Sequence, residues 1–196
     1  MNMKIVNTKK HLCTCCMEEH EVKTVIVPEH TVFKGIEVSY DAEYMYCDLA
    51  EEIYMTDQQI QSNDIRMKDA YRMKQGLLTS SQIVAIRAKY GISQSDLCLL
   101  LGWGGKTITR YESHQIQDKA HDMILKKIDV DPEWFLSLLT DARGNLSEDS
   151  FRKYYDAATS LYEKYRDLYL RKAIEAQRIR YMKKRIHQVD SKLVAQ

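Results

Sequence analysis

The stretch Ile86-Arg87-Ala88-Lys89-Tyr90-Gly91-Ile92-Ser93-Gln94-Ser95-Asp96-Leu97, followed by Thr107-Ile108-Thr109-Arg110-Tyr111-Glu112, decides the fold of the middle of the chain. Ile83, Ile86 and Ala88 fit a helix that stops at Tyr90-Gly91, where glycine supplies the left-handed C-terminal cap. Ser93 is a good N-cap for a second helix carrying Leu97, Leu100 and Leu101, which ends at Gly102. A third helix is predicted over residues 106–112 and a fourth over residues 118–128. Asp131-Pro132-Glu133 starts a fifth, with proline at its first position and Trp134, Leu138 and Leu139 facing the core.

On the N-terminal side, residues 11–55 have strand character. Val22 to Val27 is rich in β-branched residues, and Pro28 is expected to end that strand. Thr31-Val32-Phe33 and Ile36-Glu37-Val38 flank Lys34-Gly35, a hairpin turn. Tyr40, Tyr44 and Tyr46 alternate toward Cys47. A β unit of this size buries little and needs a staple. Residues 56–75 read as a short helix and connector, on the spacing of Ile60, Ile65, Met67 and Tyr71.

On the C-terminal side, residues 147–196 contain no glycine or proline. Steps of three and four run through Phe151, Tyr154, Ala158, Leu161, Tyr165, Leu168, Lys172, Glu175, Ile179, Met182, Ile186, Val189 and Leu193. That repeat predicts one long helix with a coiled-coil seam, interrupted at Lys172 and Glu175. Two amphipathic helices broken at that interruption are the alternative.

The 196 residues carry a net charge of only +1, but unevenly: −6 over residues 1–70, +2 over 71–140 and +5 over 141–196. This is either chance imbalance on solvated faces or a basic half that faces nucleic acid beside an acidic head. Seven glycines and two prolines exclude collagen-like and linker-like chains. No apolar run approaches the roughly 20 residues of a membrane span, and the first residues lack a secretory h-region. A cytoplasmic protein with no membrane partner is therefore expected. There, clustered thiols more often bind metal than form disulfides.

The central string resembles the helix-turn-helix of the Cro/XRE repressor class. More narrowly, Gly102-Trp103-Gly104-Gly105-Lys106-Thr107-Ile108-Thr109-Arg110-Tyr111-Glu112 resembles the glycine-rich turn and Arg-Tyr-Glu ending of the MqsA/YgiT-type antitoxin family. The resemblance covers roughly residues 13–139. It implies a zinc-binding N-terminal domain joined to a DNA-binding domain, with base-reading positions that fall on Lys106 and Arg110. Both can donate to guanine O6 and N7. Lys106 stands where the family has asparagine. Gln94, Thr107 and Thr109 are candidates for phosphate contact, or else solvated surface residues.

The family's zinc site uses two Cys-x-x-Cys pairs. Cys13 and Cys16 fit the first. The second is broken, with Cys47 present and Ala50 in its partner's place. Either the metal has been lost or His20 supplies the fourth ligand, with Cys15 and His11 as alternatives. Cys98 lies on an apolar helix face and reads as core.

The fold class expected on this reading is mostly α. It comprises a small N-terminal α+β zinc-ribbon-like domain with its connector helix (1–75), a five-helix XRE-type helix-turn-helix domain (76–145) and a long C-terminal helix (146–196). The family implies a non-catalytic repressor that binds a palindromic double-stranded DNA operator as a homodimer and is the antitoxin of a cognate toxin. A phage or mobile-element regulator without a toxin, and a protein-interaction adaptor, are the alternatives. The chain departs from the family in continuing about 50 residues past the helix-turn-helix, with Arg171, Lys172, Arg178, Arg180, Lys183, Lys184 and Arg185 making that tail basic.

Overall fold

A computed structural model describes residues 3–193, with side chains described except those of residues 169, 172, 173 and 180–193. It opens with an antiparallel sheet in strand order β1 (Lys4–Leu12), β2 (Glu19–Phe33), β3 (Ile36–Cys47) and β4 (Glu52–Tyr54). Helix α1 (Asp57–Lys74) follows. Then come α2 (Ser80–Tyr90), α3 (Gln94–Leu100), α4 (Thr107–Ser113), α5 (Lys119–Val130), α6 (Pro132–Asp141) and the 46-residue α7 (Glu148–Leu193). The chain is thus α+β, and the mostly α class expected from the sequence is corrected. Two of the four strands are 15 and 12 residues long, so the sheet is a major element rather than a small appendage.

Three local expectations change with it. Strand β1 begins at Lys4, well before the expected onset of strand structure. Pro28 does not end β2 but pairs with Asp41 in the middle of the long β2–β3 hairpin. The pairing of β1 stops at Ile26, so β2 has a neighbour on one side only at Pro28, which is where a sheet tolerates a residue with no N–H. The hairpin turns at Lys34 (φ 50°) and Gly35 (φ 76°), both left-handed as a tight two-residue turn requires. Finally, the short helix and connector is one continuous 18-residue helix.

Helix α1 begins at a capping box made by Thr56 and Gln59. Its first half crosses the side of β3 that β4 leaves unpaired. Asn63 mimics a neighbouring strand there: its Nδ2 donates to the Glu43 carbonyl and its Oδ1 accepts from the Glu43 N–H, both at 2.8 Å. An edge that would otherwise invite pairing with another chain is thereby covered. Arg66 pairs with the Glu43 carboxylate at 3.2 Å.

The main apolar core lies among α2 to α7. Ile83, Tyr90, Leu97, Ile108, Leu125, Ile128, Phe135 and Leu139 are buried in it, with Tyr154 and Ala158 from the start of α7. The Tyr154 hydroxyl donates to Asp96 at 2.6 Å and so ties α7 to α3. Past this packed region α7 shows Leu168, Leu170, Ile174 and Ile179 about half exposed. The side chains of the seam positions Lys172, Met182, Ile186, Val189 and Leu193, and of the basic residues Arg180, Lys183, Lys184 and Arg185, lie outside the described residues. No helix among the described residues is long and apolar enough to cross a membrane.

A buried polar network joins the segment after α1 to the helical core. Asp122 accepts from the Leu78 N–H (2.8 Å) and from Gln117 Nε2 (2.9 Å), and pairs with Lys126 (2.7 Å). Burial alone would raise its pKa. The hydrogen bond from Lys126, then those from Leu78 and Gln117, outweigh burial and hold the carboxyl below its usual value. The folded state therefore favours the charged form. The contribution is full above the unfolded pKa of about 3.9 and is lost as pH falls through the lower folded value. Asp122→Asn is expected to cost about 1–3 kcal/mol at neutral pH. Urea unfolding at neutral pH and near pH 3 checks this: the gap to wild type should narrow in acid, and a constant gap would show that the charge is not the cause.

Candidate metal centre and nucleic-acid interface

Three separate segments bring four donors together at one end of the sheet. Cys13 and Cys16 come from the turn after β1, His20 from the start of β2, and Cys47 from the last residue of β3. Their ligand atoms all lie within 4.8 Å of one another, so the cluster could hold a metal ion. Cys13 and Cys47 are fully buried. Of the two alternative ligands, Cys15 Sγ sits 3.8 Å from Glu52 and His11 Nδ1 faces the Lys9 carbonyl; neither joins the four.

The two turns that carry these residues are related. After Cys13, the fourth residue on, Met17, takes φ 63°; after Cys47, the fourth residue on, Glu51, takes φ 54°. Each is a left-handed conformation that costs an ordinary residue on the order of 1 kcal/mol. In the second turn the backbone N–H three residues on, that of Ala50, donates to the Cys47 sulfur at 3.4 Å; in the first, the Cys16 N–H favours the Cys13 thiolate. The second turn thus has the backbone of a Cys-x-x-Cys site although Ala50 lacks the thiol. His20 fills the gap from the neighbouring strand, its Nε2 3.5 Å from Cys47 Sγ. Its Nδ1 lies 2.8 Å from the Glu21 carbonyl, which can only accept. The proton therefore sits on Nδ1 and the Nε2 lone pair is left for a metal.

The electrostatics fit ligation by thiolate. Burial works against ionising Cys13, but the Tyr54 hydroxyl at 3.5 Å, the backbone N–H groups of Cys16 and Cys15 and the His20 ring lower its pKa to about 5. Burial and the neighbouring Cys47 and Cys13 sulfurs push Cys16 up to about 11. His20 is raised, chiefly by its hydrogen bond to Cys13. Cys13 is thus predisposed to ionise, and Cys16 gives up its proton when a cation arrives. Tyr54, on β4, had no sequence pattern to mark it: a tyrosine two residues past Glu52 becomes a neighbour of Cys13 only through the sheet.

The second candidate site is α3–α4. Gly102 (φ 64°) turns the chain between them. The inner face of α4 is fixed by buried Ile108 and Tyr111. Trp103 stacks on His121 at 3.9 Å, and His121 Nδ1 meets the Tyr111 hydroxyl at 2.6 Å. Arg87 on α2 makes a bidentate pair with Glu112 at 2.8 and 3.1 Å. Two of the residues singled out for phosphate contact are drawn into this framework: Gln94 Nε2 donates to Glu112, and Thr109 Oγ1 donates to Gln94 Oε1 at 2.9 Å. Thr107 is half-buried at the first position of α4. Lys106 and Arg110 are exposed, and no described side chain pairs with either. They stand four residues apart, on one face of the helix.

No family model, no curated protein and no solved structure matches this chain.

Proposed function

We propose that this chain is a sequence-specific double-stranded-DNA-binding repressor whose N-terminal domain is stapled by zinc. The observation that carries the reading is the sorting of side chains on α4. Ile108, Tyr111 and Glu112 are committed to the protein, while Lys106 and Arg110 point two uncommitted cations outward from a rigidly held helix. A short helix anchored on one face and cationic on the other fits the major groove, where arginine reads guanine bidentately. Gln94 and Thr109 support this helix from behind, and Thr107 remains open to a phosphate. The MqsA/YgiT resemblance extends the proposal to an antitoxin that represses its own operon and binds a cognate toxin. A homodimer on a palindromic operator, with α7 as its seam, completes it. The protein works without catalysis, in a cytoplasm whose reducing conditions keep the thiols available.

Zinc suits the metal cluster because three sulfurs and one imidazole form a borderline-soft set typical of closed tetrahedral sites. A Zn–S bond of about 2.3 Å places tetrahedral sulfurs about 3.8 Å apart. Donors already within 4.8 Å close around the ion by shifts of about 1 Å or less.

The test is selection of a binding sequence from a random duplex pool, followed by titration at several salt concentrations. Arg110→Ala is expected to lose about 1–3 kcal/mol on the selected duplex and to relax one base position. Affinity and specificity unchanged by Arg110→Ala would remove α4 as the reading element.

A further inference from the structure

The metal cluster and α4 lie at opposite ends of one helix, and α1 is hydrogen-bonded to the neighbourhood of both. At its start, α1 follows directly from β4, which pairs with the last residues of β3 (Met45↔Tyr54, Tyr46↔Ile53, Cys47↔Glu52). Buried Gln59 donates to Met45 Sδ at 3.4 Å and to Glu43 at 3.3 Å, and Asn63 holds the Glu43 backbone by two bonds of 2.8 Å. Met45 and Tyr54 in turn pack on Cys13, Val22 and Cys47. The first two turns of α1 therefore grip the strand end that presents Cys47.

At the other end of α1, Arg72 is buried inside the helical domain. Its Nη2 donates to the carbonyls of Tyr111 and Gln115, each at 2.7 Å, and its Nε donates to Gln117 at 3.1 Å. Tyr111 belongs to the last turn of α4, and Gln115 lies just beyond that helix. A guanidinium on the final carbonyls of a helix satisfies groups that have no partner within it and complements the negative end of its dipole. Between the two grips lie only a few helical turns, a stiff element about 1.5 Å long per residue.

We propose that α1 is a strut that makes the ordering of the C-terminal turn of α4 depend on metal occupancy of the Cys13–Cys16–His20–Cys47 cluster. Arg72 is then a positioning residue for the recognition helix, and Asn63 is the joint through which the metal end acts on it. With the ion bound, the ends of β3 and β4 are tied to the first turn and α1 is seated at both ends. Without it, that strand end loosens, the grip on α1 weakens and Arg72 holds the α4 carbonyls less firmly. The inference rests on the metal reading of the cluster and is independent of DNA binding.

The test is amide hydrogen exchange on the full chain, loaded with one equivalent of Zn²⁺ or stripped with a chelator, without DNA. Stripping is expected to speed exchange at the amides of Tyr111 to Gln115 at least about tenfold, while amides around buried Leu125 and Leu139 keep their protection. Asn63→Ala should still take up Zn²⁺ but show less than about a twofold difference at Tyr111 to Gln115 between the two states. Should that variant fail to fold, judged by lost protection at Leu125 and Leu139, Arg66→Gln weakens the same joint and should shrink the difference. Unchanged α4 exchange on stripping, in a chain that does bind Zn²⁺, overturns the strut. Uniform loss of protection across the helical domain also overturns it, because that is unfolding rather than transmission. A chain that takes up no Zn²⁺ overturns it together with the metal reading. Failure to bind any duplex, with the exchange result as expected, rejects the repressor and leaves the strut standing.

Discussion

Arg72→Met is expected to lower the stability of the helical domain by about 3–5 kcal/mol, the range for removing one partner from a buried charge pair. The guanidinium is only 1% exposed and uses four hydrogen bonds. One is a 2.6 Å pair with Asp69, which itself accepts from the Ser80 N–H and hydroxyl at the start of α2. Methionine fills much of the volume but donates nothing. The carbonyls of Tyr111 and Gln115 and the Gln117 amide oxygen then lose their donor in a dry site. Both tryptophans, Trp103 and Trp134, lie in the helical domain, so fluorescence during urea unfolding reports on that domain. With a slope of about 1–3 kcal/mol per molar urea, the midpoint falls by at least about 1 M. A shift under about 0.3 M would mean that water replaces the guanidinium without penalty. Asp69→Asn, alone and combined with Arg72→Met, closes a double-mutant cycle. A non-additive term of about 0.5–3 kcal/mol is expected for groups in direct contact.

The same residues explain why α1 was only partly legible in the sequence. A search for apolar spacing finds Ile60, Ile65, Met67 and Tyr71, yet Ile60 is half exposed. The buried face is polar: Gln59, Asn63 and Arg72, with Arg66 and Asp69 beside them, at steps of three and four. Hydrophobic periodicity cannot see a helix that binds its neighbours through amides and guanidinium groups, because the partners are backbone atoms and polar side chains remote in sequence. The helices of the domain core were legible, because their ends are set by local chemistry. Ser93 caps α3 through the Asp96 N–H, Asp131 caps α6 through the Trp134 N–H, and Gly91 closes α2 at φ 65°.

The β2–β3 hairpin was legible in its β-branched runs and its Lys34-Gly35 turn, but two features of the sheet were not, for the opposite reason. Lys4–Leu12 has three lysines and an almost wholly exposed surface, so no alternation marks it. It is a strand because β2 extends far enough to pair with it, a fact that only the tertiary structure contains. Pro28 was misleading because the rule against proline is a rule about missing ladder bonds, and on its open side β2 has no ladder to lose. These two features extend the sheet and make the chain α+β rather than mostly α. At the metal cluster, spacing pointed to Cys13 and Cys16. The Cys16-x-x-x-His20 spacing also favoured His20 over Cys15 and His11, and the strand register, which lays His20 beside Cys47, brings it into the cluster.

Cys47→Ser is expected to have the largest effect of all, unfolding the N-terminal domain while the helical core keeps its fold. The thiol is fully buried, and it is the one donor that β3 contributes. Around it the apolar cluster amounts to Cys13, Val22 and Cys47, flanked by Cys15, Cys16, Met45 and Tyr54. Such a cluster is far too small to order the two left-handed turns at Met17 and Glu51 by burial alone. An ion that joins the turn after β1, the start of β2 and the end of β3 closes those loops at once. Structural zinc of this kind contributes about 10 kcal/mol or more at neutral pH, all of it as folding free energy. Wild-type protein purified without added metal should carry about one equivalent of zinc, and Cys47→Ser less than about 0.2 equivalents. The variant's β signal in circular dichroism should fall while tryptophan fluorescence, from the separate helical core, keeps its native position. The pH dependence follows from the protons that must leave. Burial and the neighbouring sulfurs raise Cys16 to about 11, and the hydrogen bond to Cys13 raises His20, so protons on these two groups compete with the ion. Zinc affinity therefore drops as pH falls, most steeply where His20 takes up its proton, and a competing chelator titrated between about pH 8 and pH 5.5 should strip the protein progressively more easily. Retention of a full equivalent of zinc by Cys47→Ser, or a sheet signal that survives complete stripping, would show that hydrogen bonds and the small core hold these turns without a metal.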